Sequence, residues 1–93
     1  MVGITGEVER RVAAALQRYI ERGISPGDFW LCLLSNDLIG TYGHADAENL
    51  RDLPQILVCV TNTLPVGSFG SKAQVSNWMA AGGKLQYAEP EVV

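Results

Sequence analysis

Charge is scarce in this 93-residue chain: only 18% of its residues are Asp, Glu, Lys or Arg, below the roughly 25% of typical soluble domains. The hydrophobic share, 47%, is ordinary, so disorder is excluded for most of the chain. Long apolar runs are missing too. Phe29 to Leu34 and Ile56 to Val60 are the longest, and both are far too short to span a bilayer. Basic clusters are absent: five arginines and two lysines are scattered among ten carboxylates, leaving a net charge of −3. Duplex nucleic acid, whose binding relies on clustered positive charge, is therefore not an expected partner. One His and two distant cysteines give no zinc spacing. No phosphate-loop, dinucleotide-binding, zinc-hydrolase or nucleophile–His pattern occurs. The expectation is a non-enzyme without cofactor or metal. The N-terminus lacks a basic stretch followed by an apolar one, so a cytoplasmic location is expected, with Cys32 and Cys59 reduced and acting as small core hydrophobes.

What is present is legible helix punctuation. Thr5 or Gly6 can cap a first helix carrying Glu7 and Glu9 in its first turn, with Val8, Val12, Leu16, Tyr19 and Ile20 at helical spacing and Gly23 as its stop. Ser25-Pro26-Gly27-Asp28 reads as a second start, with Ser25 as N-cap and Pro26 at the first helical position. That helix, apolar on all sides from Phe29 to Leu34, continues through Leu38 and Ile39 to a stop at Gly40. Thr41 to His44 reads as a loop, followed by a short segment from Ala47 to Asp52 capped by Asp46. Pro54 breaks that segment, and Asp52-Leu53-Pro54-Gln55 reads as a new capping box opening a buried helix to about Thr63; a buried strand over Ile56 to Val60 is the alternative. A glycine-rich connection leads to a third capping box, Ser71 to Gln74, and a helix bearing Val75, Trp78 and Met79 that ends at Gly82-Gly83. The expected fold is all-α, four to five short helices in one domain over residues 1–83, with 84–93 a tail.

Three places carry polar groups that could read a ligand. In Gly67-Ser68-Phe69-Gly70-Ser71-Lys72, small residues let backbone N–H groups approach an anion at a helix N-terminus, with Lys72 adding charge; an ordinary N-cap shows the same features. Asn36 and Asp37 either satisfy neighbouring helix ends at the surface or line a polar pocket. Tyr42, His44 and Asn49 could stack on and hydrogen-bond a ring, or simply decorate a turn. Trp30 and Trp78 read as core or subunit-interface residues.

The string Gly23-Ile24-Ser25-Pro26-Gly27-Asp28-Phe29, Leu34 to Leu38, Ala45 to Leu50, Asn62-Thr63-Leu64-Pro65 and Gly70-Ser71, with Phe69, Val75 and Trp78, resembles a group of small proteins encoded in bacteriophages and prophages, over about residues 16 to 79. The resemblance implies an accessory protein that acts by binding, with counter-defence a frequent purpose. Two mechanisms fit that context: the polar groups at helix ends favour a homo-oligomeric trap that sequesters a nucleotide-like immune signal, and the alternative is an anti-CRISPR-like inhibitor that covers a surface of a host defence protein. Two all-round apolar helices in so small a chain also predict self-association, through those runs or through the Trp78-Met79 face.

Overall fold

The computed structural model describes residues 6–84, and it is all-α: α1 (Glu7–Arg22), α2 (Asp28–Leu34), α3 (Leu38–His44), α4 (Ala47–Thr63) and α5 (Lys72–Ala81). Thr5 and the tail beyond Lys84 lie outside the described residues.

α1 forms as its spacing dictates. Val12, Leu16 and Tyr19 are buried along one side, Gly6 is the N-cap, and Gly23 closes the helix in the left-handed region at φ 72°. Its N–H donates to the Tyr19 carbonyl at 2.9 Å, the 5→1 bond of an αL cap, and the Ile24 N–H makes a longer bond to the Arg18 carbonyl at 3.4 Å. α2 starts later than the Ser-Pro signal suggests. Gly27, at φ 102°, is the N-cap, and the Ser25 hydroxyl only receives a long contact from the Gly27 N–H at 3.5 Å. Ser25-Pro26 therefore forms the turn into the helix, because the positive φ that reverses the chain falls on the glycine.

The expected continuation of α2 through Ile39 does not occur. Asn36 adopts φ 64°, and the Asn36 and Asp37 N–H groups close the end of α2 on the Leu33 and Cys32 carbonyls. Asp37 then caps α3, its carboxylate accepting from the Gly40 N–H at 2.9 Å. Gly40 thus sits in a first turn rather than at a stop, and Thr41 to His44 is helix, not loop.

Pro54 likewise fails to divide α4. Asp46 caps the helix by accepting from the Asn49 N–H at 2.8 Å, and seventeen residues run on unbroken with Pro54 inside. The Asp52 capping box does not form. Its carboxylate, on a residue only 8% exposed, is held by Arg11 at 3.0 Å and by both Arg51 nitrogens at 3.0 Å. The strand alternative over Ile56 to Val60 is excluded by the same helix. α5 opens as expected, Ser71 accepting from the Gln74 N–H at 3.1 Å.

α1 packs on α4, while α2 packs on α3 and α5. Tyr19 links these groups: its phenol donates to the Ser68 carbonyl, and its own carbonyl accepts from the Trp78 indole at 2.8 Å. Trp78 is buried against Tyr19, so the core takes it. Of the two roles expected for Trp78, core or subunit interface, the core role is the one this burial fits.

Candidate functional site

The nine polar positions singled out from the sequence separate into two groups. Gly70 donates its N–H to the Leu34 carbonyl at 2.8 Å, which brings the Ser68–Lys72 connection against the end of α2, next to Asn36 and Asp37. Tyr42 and His44 lie toward the opposite end of α3 from Asp37, and Asn49 sits in the first turn of α4.

Most of these groups have local employment. Asp37 caps α3, Ser71 caps α5, and the Asn49 N–H is spent on Asp46. Ser68 is 0% exposed; its hydroxyl donates to the Pro65 carbonyl at 2.7 Å while its carbonyl receives Tyr19. It is a core turn residue. Asn36, Tyr42, His44 and Lys72 remain at the surface. Two cavities among the described residues are lined by α1 with the end of α4, and by α1 with Ile24 to Pro26; neither includes any of the nine.

Cys32 lies beside Asp37, and burial, reinforced by that carboxylate, pushes its thiol above the ordinary range. It is a poor nucleophile at neutral pH. Burial also pushes the Tyr19 phenol far up, so it stays a neutral donor. The densest charged group is Arg11, Glu48, Arg51 and Asp52, which ties α1 to α4. Hydrogen bonds from Arg51 and Arg11 hold the Asp52 carboxyl below the usual carboxylate range against the opposing effect of burial. Both carboxylates there are met by arginines of the same chain, so the cluster reads as a tie rather than a ligand seat. Among the described residues no group of three or more His, Cys, Asp or Glu could hold a metal ion.

The surface that stands out is apolar. On the outer side of α4, Ala47, Leu50, Pro54, Leu57 and Thr61 recur at alternating spacings of three and four residues, all exposed, with Val58 flanking them. Leu57 is 43% exposed and Val58 59%. From Leu53 through Ser71 the chain carries no charged residue at all. A three-four alternation of apolar positions is the seam that one helix offers another. The spacing is present in the sequence, but reading Pro54 as a helix break cuts the series in two and hides it. A second exposed patch lies on α3, where Leu38 is 67% and Ile39 85% exposed, with Tyr42 one turn on.

Comparison with protein-family models, with curated proteins and with solved structures finds no match to this chain. No helix of the described residues is long and apolar enough to cross a membrane.

Proposed function

We propose that the protein is a non-catalytic binding protein that acts by covering a surface of another protein, consistent with the counter-defence context that the phage-protein resemblance implies. One observation carries this reading: the uncharged heptad-like seam of α4, exposed along its length. A soluble helix with no partner would be expected to turn polar residues outward; this one buries Leu53, Ile56 and Val60 on one side and exposes Leu50, Leu57 and Val58 on another. The chemistry that fits such a seam is an amphipathic helix of the partner, seated by its own apolar positions.

The test is a double substitution, Leu57→Glu with Val58→Glu, at exposed positions where the helix tolerates glutamate. Helical content and melting temperature are expected to stay close to the parent, while protection of phage infection in a defence-carrying host is lost. Full protection by the folded variant removes the seam from the function.

The nucleotide trap is a second reading, favoured by the Gly70–Leu34 bond that holds the connection before α5 against the end of α2. A thermal-shift screen with cyclic nucleotides separates the two: stabilisation by a nucleotide supports the trap, through the linkage of ligand binding to folding.

A further inference from the structure

Between α1 and the end of α4 runs an open groove of about 680 Å³, lined by the more accessible Ala13, Ala14 and Ile20 together with the nearly buried Val12, Leu16 and Cys59. It is separate from the outer seam of α4, which lies on another side of that helix. Along α1 it extends from Glu9 to Glu21, about 18 Å at 1.5 Å per residue.

The described chain ends at this groove. Gly83 lies against the backbone of Glu21 to Gly23, and the Lys84 N–H donates to the carbonyl of Ile20, itself a wall residue, at 2.6 Å. Beyond Lys84 the chain continues as Leu85-Gln86-Tyr87-Ala88-Glu89-Pro90-Glu91-Val92-Val93. We propose that this segment is the groove's occupant, running back along α1 in extended form with Leu85 and Tyr87 seated on the apolar wall. Length allows it: nine extended residues reach about 30 Å, more than the groove needs. Alternation in an extended chain puts Leu85, Tyr87 and Glu89 on one side. The charge pattern agrees as well. Glu89 falls about 16 Å from Lys84, and Arg10, at the groove's far end, stands about 15 Å along α1 from Ile20.

Cys59 in the groove wall supplies the readout, in a full-length chain carrying Cys32→Ala so that it is the sole thiol. Replacing Leu85 and Tyr87 by serine is expected to raise the rate of Cys59 alkylation by iodoacetamide several-fold, with helical content unchanged because neither residue belongs to α1–α5. Arg10→Glu is expected to raise it too, and adding Glu89→Arg to restore it. Equal rates in the parent and the Leu85/Tyr87 variant overturn the proposal. So does a parent rate that climbs on dilution, which assigns the groove to a second copy, and an unrestored rate in the charge-reversed pair removes Glu89 from Arg10.

Discussion

Asp52 condenses much of the chemistry of this chain into one side chain. Its carboxylate receives three hydrogen bonds from two arginines, one on α1 and one on its own helix. Those bonds favour the charged form more than partial burial disfavours it, so its folded-state pKa lies below that of the unfolded chain. The stability it contributes is therefore complete above the unfolded value, about 3.9, and is lost as pH falls through the folded one. Asp52→Asn is expected to lower the melting temperature at pH 7, because Arg11 loses its charged partner at the α1–α4 contact, and to flatten the acid side of the stability profile. Thermal melts of both proteins between pH 7 and pH 2 check this; parallel curves would show that Asp52 is not the titrating tie. At the same scale, Ser68 and Asp37 show how polar residues near helix ends are taken up by the backbone. A hydroxyl or carboxylate near a helix end meets backbone donors and acceptors first.

At the scale of the element, the fold is most legible in the sequence where a helix end has its own chemistry. Gly6, Asp46, Ser71 and the glycines at 23 and 82 stand where capping rules put them. Two of the departures arise at a proline and a glycine, whose local preferences are overruled. Gly40 lies inside α3 because Asp37 captures its N–H, and a side chain there would collide with Asp37 and Cys32. Pro54 lies inside α4 because the packing of Leu53, Ile56 and Val60 in the core outweighs one missing N–H bond and the ring's crowding of the preceding turn. Pro54→Ala restores the donor to the Leu50 carbonyl, a bond worth about 1 kcal/mol. The melting temperature is expected to rise by a few degrees, and a fall would mean that the bend imposed by proline is what seats α4 on α1. The candidate site is less legible than the fold. Capping residues advertise themselves by type, whereas an exposed seam is defined by which side of a helix its neighbours leave uncovered, and that depends on contacts distant in sequence.

For the whole molecule, the contact that matters most is between its two ends. Gly83 meets the Arg22 and Gly23 backbone so closely that an added Cβ would lie 2.5 Å from both amide nitrogens, and Gly83 itself holds φ 81°. α1 and α5 are thus joined backbone to backbone, with the Trp78 indole bond to Tyr19 beside the joint. Gly83→Ala adds a left-handed penalty of about 1–2 kcal/mol to that overlap. A drop in melting temperature of roughly 10 °C or more is expected for a chain of this size, with a parental melt showing that the ends can part without cost.

The absence of charge from Leu53 to Ser71 bears finally on speed. A partner approaching the Leu53–Thr61 part of the α4 seam meets no charge on that stretch, and at the other end Glu48 and Arg51 offset one another, so encounter relies largely on unguided diffusion, on the order of 10⁵–10⁶ M⁻¹s⁻¹. A complex formed that way gains its lifetime from slow departure, and ionic strength has little hold on either step. On the proposed reading, the hold on a partner rests on slow departure rather than on fast arrival.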